Sequence, residues 1–264
     1  MAELTANGAQ LAFDDRGEGS PAFLFVHGWA CDRSGWDAQI ENLSRDHRCV
    51  AVDLRGRGES RPVPPFGVEQ AASDLAAAIE QLELAPVIYV GHSLGGIVGL
   101  VLNERRPDLV RGLVTIDSPI ELDTGKASPR TMERIREAGS MEPVAAFLAT
   151  FDYDPPHPGA QAYIQRVMQS CAADVAAGMM EGLADAGARM LDLVRAADRK
   201  PFMAIWAEDA LGDPAWIRDN TMFVRQEPVA GTGHFVHMEQ PEVTNALLRA
   251  FLDDVERDPR VQRR

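Results

Sequence analysis

Cysteine is scarce: Cys31, Cys49 and Cys171 are the only three in 264 residues, and they are widely spread. They form neither a disulfide framework nor a set with zinc-ligand spacing. Long apolar runs are missing too. The best stretches, such as residues 97–102, fall far short of the roughly 20 residues that span a bilayer. The opening Met1-Ala2-Glu3-Leu4-Thr5 lacks the basic region and apolar stretch of a secretory signal, so a cytoplasmic location is expected. Positive charge is in deficit, with 26 Lys and Arg against 40 Asp and Glu and a net charge of −14. Such a chain repels nucleic acid and anionic membrane surfaces, and neither is expected as a partner. Arg257, Arg260, Arg263 and Arg264 make the tail a local exception, read as a solvated, frayed end.

What is present suits a folded α/β domain. Hydrophobic residues make up 45% of the chain and charged residues 25%, enough to build a sizeable core. Asn7-Gly8 signals a hairpin turn between Leu4 and residues 10–14. Apolar runs without polar alternation follow at 22–26, 49–52, 87–90, 113–116 and 202–206, as expected of strands buried on both faces. Helical stretches separate several of them. In residues 69–84, Ala71, Leu75, Ala78, Ile79 and Leu82 lie on one stripe at helical spacing. The alternation predicts a doubly wound, mostly parallel sheet. It stops between about Pro119 and Lys200, where helices are predicted near 129–138, 143–151, 160–172 and 174–197. Residues 154–159, Asp-Pro-Pro-His-Pro-Gly, cannot continue a helix. An all-helical insertion between two strands would sit over the strand ends as a cap.

The chemistry concentrates in Gly91-His92-Ser93-Leu94-Gly95-Gly96, between the apolar run 87–90 and a helical stretch ending near Arg106-Pro107. Strand, tight turn and helix are the setting in which G-x-S-x-G forms a nucleophile elbow. The elbow would raise the Ser93 hydroxyl above the sheet, at a helix N-terminus where developing negative charge is stabilised. Three more motifs follow strands in order: His27-Gly28-Trp29, Asp53-Leu54-Arg55-Gly56-Arg57-Gly58-Glu59-Ser60, and Gly231-Thr232-Gly233-His234-Phe235. On these residues the sequence resembles the α/β-hydrolase family over nearly its whole length. The resemblance implies a core of residues 1–118 and 201–264 with a helical cap at 119–200.

It also implies roles. His234 matches the family's general base, with His237 as a competitor three residues on. As a metal pair, His234 and His237 lack the flanking glutamate of a helical zinc motif. The backbone N–H groups of Trp29 and Leu94 would form the oxyanion hole, and the Trp29 indole would either wall the pocket or pack in the core. His27 leads into that loop as a structural hydrogen bonder. His92 reads as structural or pocket-lining, and Asp53 and Arg55 as scaffold. His47 and His157 need no function.

The acid departs from the family pattern. The usual Trp-Gly-x-x-Asp reads here Trp206-Ala207-Glu208-Asp209-Ala210, with no carboxylate at the aligned position. Asp117, closing the run 113–116, is the favoured substitute, as in family members that supply the acid from the earlier strand. Asp209, Glu208 and Asp213 remain alternatives. The expectation is a serine hydrolase of carboxylic esters or a related acyl bond, without metal, nucleotide or flavin, acting on a small molecule as a monomer or homodimer. Met132, Phe147, Phe151, Tyr153 and Met179 are candidate pocket residues. Lactone or carbon–carbon bond hydrolysis, cofactor-free oxygenation and non-catalytic ligand reception are the other readings of this fold.

Overall fold

The computed structural model describes residues 2–121, 129–144 and 156–262. Among these, β1 (Ala2–Ala6), β2 (Ala9–Arg16), β3 (Phe23–Val26), β4 (Cys49–Val52), β5 (Val87–His92), β6 (Val110–Ile116), β7 (Phe202–Trp206) and β8 (Arg225–Pro228) form one sheet. Its order is β1-β2-β4-β3-β5-β6-β7-β8. β2 runs antiparallel to both β1 and β4, and the remaining pairs are parallel. The opening hairpin closes through Asn7 (φ 47°) and Gly8 (φ 79°), the left-handed pair that a two-residue turn between twisted strands requires.

The central strands are apolar at successive positions because each face is covered. Leu24, Val26, Val50 and Val52 point into one buried cluster; Phe23, Phe25, Cys49 and Ala51 point into another. Burying each large side chain contributes roughly 1.5–3 kcal/mol. Among the described residues the α-helices are α1 (Asp37–Leu43), α2 (Val68–Gln81), α3 (Leu94–Arg105), α4 (Pro129–Ala138), α5 (Pro158–Ser170), α6 (Ala173–Met179), α7 (Leu183–Ala188), α8 (Met190–Ala197), α9 (Pro214–Asn220), α10 (Val236–Glu239), α11 (Pro241–Arg257) and α12 (Pro259–Gln262). α2, α3 and α8 feed the first cluster, and α1 and α11 the second. α3 lies in the middle of the core and is buried nearly all round, whereas α2 shows the one-sided stripe read from its sequence.

Two local expectations change. The helix predicted over 174–197 is three helices. Gly182 turns left-handed (φ 78°) between α6 and α7, and the Glu181 carbonyl accepts the Val68 N–H at 3.1 Å, a contact from a distant part of the chain. β8 is a half-buried edge strand of polar sequence, Arg-Gln-Glu-Pro, and shows no apolar run. Of the helix predicted at 143–151, residues 145–151 lie outside the described residues, as do Phe147, Phe151 and Tyr153; Glu142–Val144 form a short 3₁₀ turn. The proline segment resolves at Pro158, the first residue of α5, where the His157 ring accepts the Ala160 N–H at 3.2 Å as a cap. Among the described residues no helix is long and apolar enough to cross a membrane.

Candidate active site

β5 and β6 pair His92 with Ile116, so Ser93 and Asp117 are each the first residue past the ladder on adjacent parallel strands. Their amides still extend it: Ser93 N–H donates to the Ile116 carbonyl and Asp117 N–H to the Ile205 carbonyl, both at 2.8 Å. Both residues then leave the sheet left-handed, Ser93 at φ 53° and Asp117 at φ 42°. Such conformations cost on the order of 1–3 kcal/mol each and mark positions held by their surroundings. The serine turn closes tightly. A methyl at Gly91 would lie 2.4 Å from the Gly95 carbonyl oxygen, and one at Gly95 would lie 2.5 Å from that of Val26. Leu94 begins α3, so its N–H belongs to the free first turn of a helix.

Asp117 is 1% exposed and has three donors. Its Oδ2 lies 2.6 Å from His234 Nδ1, and its Oδ1 accepts the N–H groups of Leu211 (3.1 Å) and Ala207 (3.3 Å). The acceptor is a carboxylate, so the proton in the first bond sits on Nδ1 and the basic lone pair falls to Nε2. The other acids do different things. Glu208 Oε2 accepts the Gly231 N–H at 2.7 Å, Asp213 caps α9 through the Trp216 N–H at 2.9 Å, and Asp209 is exposed.

The loop carrying His234 is gripped on both sides. Glu239 takes the Gly233 N–H at 2.6 Å and the Phe235 N–H at 3.2 Å, while His92 Nε2–H donates to the His234 carbonyl at 2.9 Å. The His92 ring packs 4.6 Å from that of His234, which brings the histidine beside the serine turn. Glu239 and this use of His92 had no signal in the sequence, because both act on backbone amides and carbonyls.

A sequence profile described as the alpha/beta hydrolase family matches residues 23–247. The chain belongs to the alpha/beta hydrolase family. Among curated members, 3-oxoadipate enol-lactonase 2 of Acinetobacter baylyi is 23% identical over 94% of this chain and 95% of its own. A 2-heptyl-3-hydroxy-4(1H)-quinolone dioxygenase of Mycobacteroides abscessus is 36% identical, over 38% of each chain. Among solved structures, a thermophilic esterase from Thermogutta terrifontis superposes with a TM-score of 0.86 at 27% identity, covering 96% of this chain and 98% of that one.

Within this alpha/beta hydrolase the remaining histidines are structural in their contacts. His27 Nε2 accepts the Leu54 N–H at 2.9 Å, so its proton is on Nδ1, which donates to the Gly28 carbonyl at 2.8 Å. The ring ties the ends of β3 and β4, and burial holds its pKa below the usual histidine value. Burial does the same to His92, well below that value, and lowers His237 to about 3. His237 packs at a tilt against Trp36, ring centres 4.3 Å apart. Asp53 accepts the N–H groups of Arg33 (2.7 Å) and Glu59 (2.9 Å), and Arg55 pairs with buried Asp74.

The loop after β3 runs His27-Gly28-Trp29-Ala30, with Ala30 left-handed at φ 56°. The partly buried Trp29 ring donates its indole N–H to the Ala176 carbonyl of α6 at 2.7 Å. Met132 packs in the apolar cluster that Trp29 covers, and Met179 in the core cluster of α2 and α3.

Proposed function

We propose that the chain is a serine hydrolase of carboxylic esters and related acyl bonds, with Ser93 as nucleophile, His234 as base and Asp117 as acid. The observation that carries this reading is the 2.6 Å contact between Asp117 and His234, made one strand away from the serine turn. In the proposed cycle Ser93 Oγ attacks the carbonyl carbon while its proton moves to His234 Nε2. The Trp29 and Leu94 N–H groups hold the oxyanion. Asp117 stabilises the imidazolium, which then gives its proton to the departing alcohol. A water molecule, deprotonated by the same histidine, attacks the acyl-serine, and the proton returns to Ser93 as the acid leaves. The cycle needs no metal, nucleotide or flavin.

A lactone is an ester closed on itself and passes through the same steps; the nearly full-length match to an enol-lactonase supports including it. We assign residues 119–200 to the cap over the strand ends. A cytoplasmic location agrees with three buried cysteines, none in a disulfide.

The test is hydrolysis of short and medium p-nitrophenyl esters and a lactone panel by the wild type and Ser93→Ala. Multiple turnover is expected, with kcat falling by on the order of 10³-fold or more in the variant. Retention of a tenth of the activity by Ser93→Ala would overturn the nucleophile and turn attention to deprotonation by His234 alone, the chemistry of a cofactor-free oxygenase. Tight ligand binding without turnover would identify a receptor.

A further inference from the structure

We propose that Arg57 is a positioning residue for the oxyanion loop, holding the carbonyls of Ala30 and Cys31 against the last turn of α5. The inference rests on the proposed hydrolase reading for its catalytic meaning, but its structural part stands separately.

Arg57 is 1% exposed and sits between Gly56 (φ 76°) and Gly58 (φ 51°), at the tip of the loop after β4. Its N–H closes the turn on the Leu54 carbonyl at 2.8 Å. The planar guanidinium then spreads over four carbonyls. Nε donates to Cys31 at 3.0 Å, Nη2 to Ala30 and to Val167 at 3.0 Å, and Nη1 to Ser170 at 3.5 Å. Two of these acceptors belong to the loop that carries the Trp29 N–H. The other two belong to the C-terminal turn of a thirteen-residue helix, where unpaired carbonyls concentrate negative potential. A fork of five donors fits this arrangement, whereas an ammonium offers three from a single atom.

The loop needs holding. Ala30 is an alanine in the left-handed region, and a return to ordinary φ would swing the preceding peptides, the Trp29 N–H among them, relative to Ser93. Arg57 is not alone in opposing this. The Tyr163 hydroxyl of α5 accepts the Asp32 N–H at 3.0 Å and donates to the Asp32 carbonyl at 2.8 Å. Arg166 reaches Asp32 Oδ2 at 2.6 Å and Ser34 Oγ at 2.7 Å, and the Trp29 indole bonds to α6. Residues 29–34 are therefore stitched to α5 and α6, and Arg57 ties the loop to α5 from the core. Docking of these helices and alignment of the oxyanion loop become one event, so a cap lifted on this side costs the nucleophile its Trp29 oxyanion donor and leaves only that of Leu94.

Arg57→Met keeps length and removes every donor; Arg57→Lys keeps the charge and loses the fork. The Met variant is expected to lose 10- to 100-fold in kcat with KM within about threefold, bounded by the 10²- to 10³-fold cost of deleting one oxyanion donor. Affinity for an alkyl boronic acid, whose serine adduct is tetrahedral, should fall by the same factor, and Lys should lie between. Hydrogen exchange is expected to rise together in peptides covering 28–33 and 163–171, with β5 and β6 unchanged. Unchanged kcat and boronate affinity, a rise in KM alone, or faster exchange in α5 without the 28–33 loop would overturn the proposal. If thermal melting shows Arg57→Met unfolded, the same readings on Arg57→Lys decide. A wild type that neither turns over nor binds boronate refutes the hydrolase reading instead, and the exchange comparison still decides whether Arg57 holds the loop.

Discussion

β6 and β7 run side by side and end at the same edge of the sheet, yet they treat the proposed acid differently. β6 is followed at once by Asp117, whose left-handed φ of 42° turns its carboxylate inward to His234. β7 ends at Trp206 and runs on into Ala207-Glu208-Asp209-Ala210, where the family's customary acid position holds a methyl group. The second strand still contributes, through N–H groups: Ala207 and Leu211 donate to Asp117 Oδ1. The carboxylate and its hydrogen-bond donors have been divided between two strand ends. A buried carboxylate without donors would sit as the neutral acid and give the imidazolium no charge to lean on. A proposed acid after β6 is therefore workable because the loop after β7 answers it with amides.

The largest expected effect tests the β6 side. Asp117→Asn should lower kcat by on the order of 10³–10⁴-fold with little change in KM. The Asn oxygen can keep the two amides of the β7 loop, while its NH₂ faces His234 Nδ1 and favours the tautomer with the proton on the wrong nitrogen. A loss under tenfold, measured on well-folded protein, would break the assignment. Transplanting the acid sharpens the comparison: Asp117→Ala combined with Ala210→Asp is expected to regain at least about tenfold over Asp117→Ala alone, reported by the same ester assay. No recovery would mean that the β7 loop has become a donor platform only, unable to present a carboxylate to the histidine.

A middle-sized effect belongs to Glu208, the residue of the loop after β7 whose carboxylate accepts the Gly231 N–H at 2.7 Å. Losing a charged acceptor at an exposed site costs about 1–2 kcal/mol of local ordering, and Glu239 and His92 still hold the far side of the His234 loop. Glu208→Ala should lower kcat by about three- to tenfold, with faster hydrogen exchange in residues 230–235. A loss as deep as that of Asp117→Asn would mean that Glu208 shares the acid's work.

The same two strand ends show what was legible in the residues. Asp117 closes an apolar run, and a carboxylate at the end of a buried strand has few places to point, so the β6 side was readable as a candidate. Ser93 was readable because a glycine-flanked turn between strand and helix leaves a distinctive pattern. The amides of Ala207 and Leu211 were invisible, since any residue but proline carries one and only the fold aims them. Arg57 stands in the glycine-rich turn after β4, but its four carbonyl partners come from segments 26 to 113 positions away. β8 leaves no apolar run because it is an edge strand of polar residues, and the break at Gly182 sits beside a carbonyl engaged by Val68 from a distant segment. Patterns along the chain report burial and turns; backbone partners across the fold leave no trace in side-chain identity.

The smallest expected effect is the sharpest control. Asp209 lies one position from the customary acid site and is exposed, whereas Asp117 is buried against the histidine. An exposed carboxylate already has water to solvate it, and exchanging it for an amide alters only screened, long-range electrostatics near the site. Asp209→Asn should leave kcat and KM within about twofold and the pH profile unmoved. A loss of a hundredfold would require the β7 loop to shift by one residue in the working enzyme, bringing Asp209 to His234 Nδ1 and releasing Asp117 from it. That shift would also strip Asp117 Oδ1 of its two amides, because both donors ride on the same loop. The twofold and the hundredfold outcomes thus belong to two different registers of one loop.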